Sequence, residues 1–317
     1  MSAGWLVRTG EGRLARLVGD APLPLEGVPP FPGLPAERIA FAGGRRALLA
    51  VGEGDRVRAW RSDDGERWLP VPPLPADWDR IGLFAEPGAV ISVAPGLARI
   101  GTPEGWRELP LPDGASWIGP GEAGWWAVGS LPVEGADERV AAAWRPAGGG
   151  WQRVAARPGL VAAVRLRAGG GFDRFLAVDA RAEPVVLASQ CAWFLDDPSG
   201  FLHLLDRGGR LRSRRIPDRA VVRLDREPDG TPVAFTDDGE RWRWRGRWRR
   251  SGWAAGIRTA LGTVPTRVHV AAGASGQARA LAWTGPGGPV ALGTEGDARR
   301  WFRASRPDLE FLAAFAA

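Results

Sequence analysis

Two heptapeptides decide the fold of this chain: residues 62–68 read SDDGERW and residues 236–242 read TDDGERW. They differ only at their first position, Ser62 against Thr236, although more than half of the chain separates them. In each copy a hydroxyl residue and an Asp can accept hydrogen bonds from turn amides, and the Gly can take a positive φ. The closing Trp is large enough to pack a hairpin against the body of the protein. Each heptapeptide is therefore predicted to form a tight turn between two strands.

Looser copies of the same pattern recur along the chain, which is the mark of a repeat protein. They lie at residues 9–14, 102–106, 145–151, 206–211 and 294–301. The Trp residues that end the clearer copies are separated by 38, 45, 91 and 59 residues. The degenerate copy at residues 206–211 lies inside the longest of these intervals. Seven units of about 45 residues each match the length of a four-stranded propeller blade.

The segments between these copies have the character of short strands. Runs with period-two patterning or β-branched residues flank the copies, Gly or Pro recurs about every 8–12 residues, and no segment carries a convincing helical stripe. We therefore predict an all-β fold, a β-propeller of four-stranded antiparallel blades, with seven blades favoured and six as the alternative. Residues 1–317 would form one domain, whose ring is closed when residues 308–317 pair with the N-terminal blade.

The pattern Ser/Thr-x-Asp-Gly-x-x-Trp resembles the Asp box, the hairpin signature of sialidase-type (BNR repeat) β-propellers. The residues that carry the resemblance are Ser62, Asp64, Gly65, Trp68, Thr236, Asp238, Gly239 and Trp242. The resemblance implies that these residues are structural and that their turns lie away from the binding face. Sialidases of this kind use a Tyr nucleophile, an Asp acid/base and an Arg cluster. Because the chain has no Tyr, the resemblance points to the non-enzymatic branch of the superfamily, which includes photosystem-assembly-factor-like propellers.

The composition excludes several kinds of chemistry. All 42 basic residues are Arg, and the chain contains no Lys, Asn or Tyr, which excludes Schiff-base catalysis and a tyrosyl nucleophile. A single Cys, Cys191, excludes a disulfide framework. His203 and His269 each stand alone in an apolar, strand-like run, which is typical of a strand residue rather than a metal ligand. We therefore expect no catalytic residue, no metal and no cofactor.

Positive charge is concentrated in one segment. Residues 207–250 contain 14 Arg and 7 acidic residues, whereas the rest of the chain contains 28 Arg and 29 acidic residues. Residues 241–250 (RWRWRGRWRR) alternate, so a single strand would place Trp and Gly on one face and Arg on the other. One interpretation is an outer blade strand whose Arg residues block edge-to-edge pairing. The other is an anion-binding or partner-binding stripe formed by Arg210, Arg212, Arg214, Arg215, Arg241, Arg243, Arg245, Arg247, Arg249 and Arg250.

Three functions are compatible with these features. The first, which we favour, is a non-catalytic binding module or assembly scaffold for a protein partner in a larger bacterial complex, with loops presented around one rigid face. The second is binding of phosphate, nucleic acid or another polyanion through the Arg-rich residues 207–250. The third is a glycoside hydrolase-like enzyme, which lacks the Tyr nucleophile and would need a pair of carboxylates in a central funnel. Because no stretch approaches the roughly 18 apolar residues of a membrane helix, we expect a cytoplasmic protein without a membrane span.

Overall fold

The chain is built almost entirely of short antiparallel strands. The computed structural model describes residues 4–43, 46–75, 78–84, 88–132, 139–154, 172–192, 199–207, 210–216, 219–227, 229–263, 265, 267–272, 278–283, 290–294, 300–304, 306 and 308–315. The first strands in chain order are β1 (Gly4–Thr9), β2 (Leu14–Val18), β3 (Ala21–Pro24), β4 (Ile39–Ala42), β5 (Ala47–Glu53), β6 (Arg56–Ser62), β7 (Leu69–Pro75), β8 (Ile81–Phe84), β9 (Ala89–Ala94), β10 (Leu97–Thr102), β11 (Gly105–Pro110), β12 (Ala115–Gly121), β13 (Gly124–Pro132), β14 (Arg139–Ala147) and β15 (Gly150–Val154). The later strands are β16 (Phe172–Asp179), β17 (Val185–Ala192), β18 (Ser199–Leu205), β19 (Leu211–Ile216), β20 (Val221–Arg226), β21 (Pro232–Thr236), β22 (Arg241–Trp244), β23 (Trp248–Arg250), β24 (Arg267–Ala272), β25 (Ala278–Trp283), β26 (Val290–Thr294), β27 (Arg300–Arg303) and β28 (Leu309–Phe315).

These strands form seven four-stranded antiparallel blades of a β-propeller. Blade 1 has the order β28-β1-β2-β3, and blades 2 to 7 take β4 to β27 four at a time in chain order. The predicted fold class, all-β with seven four-stranded blades, is confirmed. Blades 4 and 5 are also joined to each other, because β14 and β16 share one parallel pair, Arg139 with Phe172.

The first and last strands of the chain meet in blade 1. β28 pairs antiparallel with β1, from Gly4 opposite Phe315 to Thr9 opposite Leu309. The second histidine of the chain, His269 on β24, holds this junction: its Nδ1 accepts the Ala314 N–H at 3.2 Å, and its Nε2 lies 2.7 Å from the carbonyl oxygen of Phe41 on β4. One imidazole thus joins the first strands of blades 7, 1 and 2.

Strand order places the first strand of each blade nearest the ring axis and the fourth at the rim. First strands contact the first and second strands of the preceding blade, as β20 does with β16 and β17, whereas outer strands such as β3 are largely exposed. Because consecutive strands run antiparallel, first-to-second and third-to-fourth turns emerge at one end of the ring, here face I. Second-to-third turns and the connections between blades emerge at the opposite end, face II.

Apolar layers fill the space between neighbouring blades. Leu6 of blade 1 packs with Trp60 of blade 2 in one such layer, and Leu202 of blade 5 packs with Trp242 of blade 6 in another. Burying one large aliphatic or aromatic side chain contributes roughly 1.5–3 kcal/mol. These layers hold the ring together, because hydrogen bonds between strands lie mainly within a blade.

Within the described residues one α-helix interrupts this pattern, and here the prediction of no helical segment was wrong. α1 (Trp253–Leu261) connects blade 6 to blade 7 and buries Trp253, Ile257 and Leu261, which lie on one face at four-residue spacing. Gly252 and Gly262, both with positive φ, bound the helix. The apolar stripe is only three residues long, so the glycine-rich surroundings masked it in the sequence.

The inner strands of blades 4 and 5 approach each other closely, and one glycine makes this approach feasible. A Cβ at Gly119 on β12 would lie 2.1 Å from the carbonyl oxygen of Val178 on β16. Immediately after it, the Ala180 N–H donates to the Pro120 carbonyl at 2.9 Å. We expect Gly119→Ala to lower the free energy of unfolding by about 3 kcal/mol, because two backbones must separate.

Chemical denaturation measures this loss, and Gly150→Ala is the matched control. A Cβ at Gly150 meets its nearest neighbour, the Ala147 carbonyl oxygen, at 4.0 Å, so its effect should stay within about 0.5 kcal/mol. Equal effects of the two substitutions would contradict the close contact between the inner strands.

Candidate functional site

The first heptapeptide forms the turn between β6 and β7, the third and fourth strands of blade 2. Asp64 Oδ1 accepts hydrogen bonds from the Ser62 hydroxyl at 3.0 Å and from the Glu66 and Arg67 amides at 2.8 and 2.9 Å. These amide donors hold the pKa of Asp64 below its ordinary value. Gly65 has a φ of 77°, and Trp68 is buried between blades 1 and 2. The side chains of Ser62 and Asp64 are therefore used to build the turn.

The second heptapeptide forms a similar turn in blade 6. Asp238 Oδ1 accepts the Thr236 hydroxyl at 2.7 Å and the Glu240 amide at 3.3 Å, and Gly239 has a φ of 80°. Asp238 Oδ2 also accepts the Arg219 Nε–H at 3.0 Å. Burial alone would raise the pKa of Asp238, but the Thr236 hydroxyl, the Glu240 amide and Arg219 together lower it.

The two turns lie on opposite faces of the ring. Residues 62–68 join third and fourth strands and emerge at face I, whereas residues 236–242 join β21 and β22, the second and third strands, and emerge at face II. A single binding face at one end of the ring therefore cannot lie away from both turns. The looser copy at 294–301 starts at the end of β26, and its residues 295–299 lie outside the described residues.

Glu240 makes the second turn a support for α1. Its carboxylate Oε1 accepts the backbone N–H groups of Gly252 and Trp253 at 2.8 and 3.0 Å and the Ser251 hydroxyl at 3.2 Å. An acidic group here pairs with the unsatisfied N–H groups and the positive end of the helix dipole. The side chain of Glu240 is only 3% exposed, whereas that of Glu66 at the same position of the first heptapeptide is 70% exposed.

Residues 241–250 form a hairpin, so the expectation of a single strand was wrong. β22 and β23 are joined by residues 245–247, where Gly246 has a φ of 69°. Trp244 lies directly opposite Trp248, and Arg243 lies opposite Arg249. Because directly paired residues share a face, the Trp residues still share one face of the blade, and Arg250 joins them there opposite Trp242.

The structure divides the ten Arg residues of the predicted stripe into two groups. Three lie in contacts inside blade 6: Arg241 and Arg243 both form ion pairs with Glu227, and Arg250 lies 3.4 Å from Glu240. The others are exposed on turns or outer strands. Arg210, Arg212, Arg214 and Arg215 belong to the third-to-fourth turn and fourth strand of blade 5, and Arg245, Arg247 and Arg249 belong to the β22–β23 hairpin.

The tryptophans of this hairpin face the interior. Trp242 and Trp248 are 7% and 6% exposed and pack in the layer shared with blade 5. Trp244 is partly buried and meets Trp248 edge to face, with ring centroids 5.7 Å apart. Stacking of single-stranded bases needs open aromatic faces, which Trp242 and Trp248 do not offer.

An ionic network between blades 5 and 6 could not be read from the sequence. One Arg181 nitrogen donates to Asp179 at 2.6 Å and to Asp225 at 3.1 Å. Buried Arg226 donates to the carbonyl oxygens of Ala182 and Pro184 at 2.7 and 2.8 Å and reaches Asp179 at 3.3 Å. These groups lie at face I, at the ends of β16 and β20, so they join the two blades near the ring axis.

Two carboxylates thus meet in the network, but not as a glycosidase pair. Burial by itself would raise the pKa of Asp225, but Arg223 and Arg181 lower it. A general acid needs a carboxyl group whose pKa is raised. Asp225 is instead an ionised acceptor for guanidinium groups, which is a structural role.

A second buried polar group lies within blade 5. His203 on β18 hydrogen-bonds through Nε2 with the Ser189 hydroxyl at 2.8 Å and through Nδ1 with the Ser213 hydroxyl at 2.7 Å. The pairing resembles a nucleophile and its base, but Ser189 and His203 are both buried. Because both side chains are buried in the blade, we interpret the pair as a core network across β17, β18 and β19.

Burial lowers the pKa of His203 from 6.5 to about 4. Between these pH values the unfolded chain takes up a proton that the folded chain does not, so the free energy of unfolding should fall by about 3 kcal/mol as the pH falls. We expect His203→Gln to show a flatter profile between pH 7.5 and 4.5, measured by urea denaturation. Carboxylates with lowered pKa values act mainly below about pH 5, and they are common to both proteins, so they cancel in the comparison. Parallel profiles of the two proteins would contradict a neutral, buried His203.

Among the described residues, no three His, Cys, Asp or Glu side chains come together as a metal-binding group. The described part of the chain also contains no helix with the length and apolar character that a membrane crossing requires.

No family model matches the chain, and no curated protein is similar to it in sequence. Among solved structures it is similar to a crystal structure of puromycin hydrolase, with 16% sequence identity and a TM-score of 0.35. The aligned region covers 96% of this chain and 46% of that chain, so this chain spans about half the length of that structure. No activity transfers across so distant a likeness.

Proposed function

We propose that this propeller is a non-catalytic binding scaffold and that its partner is a protein. One observation carries the proposal: the acidic groups and the histidine described above are held in contacts inside the ring, while exposed cationic groups collect at its rim. Glu227, a carboxyl group whose pKa is raised by burial, is likewise held by ion pairs with Arg241 and Arg243. Asp179, Asp225 and His203 each have partners within or between blades. A rigid ring with a charged rim is suited to holding a partner rather than to converting a substrate.

The turn geometry also supports the proposed relation to the non-enzymatic Asp-box propellers. Asp64 and Asp238 use their carboxylates to hold turn amides, and neither is directed at a cluster of acidic groups. A glycoside hydrolase would need a carboxyl group with a raised pKa beside a second, ionised carboxylate. The Asp179–Arg181–Asp225 arrangement offers the opposite, since an Arg nitrogen lies between the two acids.

Native purification after mild cross-linking tests the scaffold proposal. We expect one protein partner to be recovered with the chain at constant stoichiometry, read by native mass spectrometry of the purified complex. The chain recovered alone under these conditions would contradict the proposal. So would turnover of glycoside or ester substrates that disappears in Asp225→Asn.

Polyanion binding is a second candidate, favoured by the exposed Arg residues of the β22–β23 hairpin. Arg245, Arg247 and Arg249 are all exposed, and Arg side chains suit phosphate geometry. If RNA or heparin is the ligand, affinity should fall steeply with salt, and charge reversal at these three positions should weaken it. Lack of binding to either polyanion at low salt would remove this candidate.

A further inference from the structure

The outer strands of the seven blades differ in whether their free edge can pair with another strand. Blades 1 to 3 end in β3 (APLP), β7 (LPVPPLP) and β11 (GWRELP), which all contain Pro. Pro lacks the N–H that a further strand would need, so these edges are protected. The outer strands of blades 4 to 7 contain no Pro, and the longest of them is β19 of blade 5, with six residues.

β19 combines this open edge with unbalanced positive charge. Its sequence, LRSRRI, contains three Arg and no acidic residue. Among the described residues, β18 is its only strand neighbour. Apart from the backbone pairing with β18, no side-chain hydrogen bond or ion pair joins Arg212 or Arg214 to another part of the chain that the structure describes. An exposed sheet edge attracts further strands. Because β19 is positively charged, its edge repels the β19 edge of a second copy of the chain.

The register of β19 shows where Arg212 and Arg214 point. Arg212 lies opposite Leu204 and Arg214 opposite Leu202, and directly paired residues share a face. Both leucines, together with Ile216, belong to the layer between blades 5 and 6. The two Arg side chains are therefore on the blade-6 side of β19, outside that layer at the rim.

Blade 6 supplies the opposite wall of this rim. Trp248 and Trp244 of the hairpin extend the same apolar layer outward, and Arg250 on their face of the sheet has a 58% exposed side chain. The indole N–H groups of Trp242 and Trp248 are buried without an acceptor among the described residues. We call Arg212, Arg214, Trp244, Trp248 and Arg250 the basic seam.

We propose that an extended acidic segment of the protein partner adds to β19 as a fifth strand of blade 5. Its backbone pairs with the open edge, as in other cases of strand addition. Acidic side chains at every second position then lie beside Arg212 and Arg214 and face the basic seam, while the intervening residues face the other side of the blade. This inference rests on the proposed scaffold function and names the chemistry of its partner.

The observations favour a peptide over a nucleic acid. Strand addition uses backbone N–H and C=O groups at regular spacing, which a peptide has and a polynucleotide lacks. Trp242 and Trp248 are buried in the layer between blades 5 and 6, so they cannot stack with bases. Guanidinium forks pair with carboxylates in a bidentate geometry, which suits the Glu or Asp side chains of an added strand.

A synthetic peptide alternating Glu and Val, about eight residues long, is the direct probe. We expect saturable binding to the full chain by fluorescence anisotropy, weakened at least about tenfold by Arg212→Glu/Arg214→Glu. The matched control is Arg153→Glu/Arg303→Glu, which changes the net charge equally at exposed positions on β15 and β27. It should leave the affinity within about twofold, since these residues lie on other blades.

N-methylated peptides test the strand itself. Methylation at every second amide blocks one edge of an extended peptide, so one of the two possible methylation patterns should bind and the other should not. Equal binding of both patterns, or equal affinity for the two double variants, would overturn the inference. An RNA of equal charge that binds more tightly through Arg212 and Arg214 would overturn it in favour of polyanion binding.

The failure of this inference can be told apart from failure of the scaffold function. If the partner still co-purifies with Arg212→Glu/Arg214→Glu at unchanged stoichiometry, the scaffold proposal stands and the β19 site is wrong. Circular dichroism of the double variant confirms that its blades are folded before either result is interpreted.

Discussion

Deletion of residues 308–317 is expected to abolish the cooperative folding of this protein or to lower its melting temperature by more than about 10 °C. The deletion removes β28 and exposes the whole inner edge of β1. It also removes the buried side chains of Phe311 and Leu312. Truncating one such side chain costs about 2–5 kcal/mol, and a domain has only about 5–15 kcal/mol in total. Differential scanning calorimetry measures the loss.

Adding the missing strand back provides the control. A synthetic peptide of residues 308–317 should restore part of the lost melting temperature in a concentration-dependent way, because binding to the folded state alone stabilises it. An unchanged melt of the truncated chain would show that β28 does not hold the ring closed. Rescue by a peptide with a scrambled sequence would show that the effect is not strand pairing.

Replacing Glu240 by Ala is the second substitution with a large expected effect. The carboxylate accepts the Gly252 and Trp253 amides at the start of α1, and both would lose their buried partner. Charge-assisted hydrogen bonds are worth about 1.5–3 kcal/mol each, and an orphaned buried donor adds its desolvation cost. We expect a loss of about 3–4 kcal/mol in the free energy of unfolding. Glu240→Gln, which keeps an acceptor oxygen but no charge, should lose about half as much.

The heptapeptides supply comparisons for this result. Asp237 of the same turn is exposed, so Asp237→Ala should change the stability by less than about 0.5 kcal/mol. Glu66→Ala in the first heptapeptide removes no helix cap, but it leaves the buried guanidinium of Arg16 without its partner at 3.3 Å, so it is not a neutral reference. If Glu240→Ala and Asp237→Ala unfold alike in urea, the cap on α1 does not carry the stability we assign to it.

The blades could be predicted from the sequence because their signals are local. A turn such as residues 62–68 needs only its own hydroxyl, carboxylate and glycine, so its geometry follows from seven residues. The alternation of Trp and Arg in residues 241–250 correctly separated the two faces of blade 6. It did not show that the chain reverses at Gly246. A three-residue turn keeps the Trp residues before and after it on the same face, so the alternation looks the same as in one continuous strand.

The groups of the candidate site could not be predicted in the same way, since their partners are distant in sequence. Asp179 of blade 5 pairs with Arg226 of blade 6, and the sequence around neither residue contains a signal for this contact. The sequence showed that β19 is positively charged. It did not show which side of the blade its Arg side chains occupy, because this depends on the register with Leu202 and Leu204. Tertiary register, rather than composition, separates the paired Arg residues from the exposed ones.

The junction of β28 with β1 also fixes the order in which the protein can be completed on the ribosome. Blades 2 to 7 are made of strands adjacent in sequence, so each can assemble soon after it emerges. Blade 1 must wait, because Gly4 finds its partner only when Phe315 has been synthesised. Until then β1 presents an unpaired edge to its surroundings, and such edges recruit other chains. Synthesis of β28 thus ends the exposure of the β1 edge to other chains.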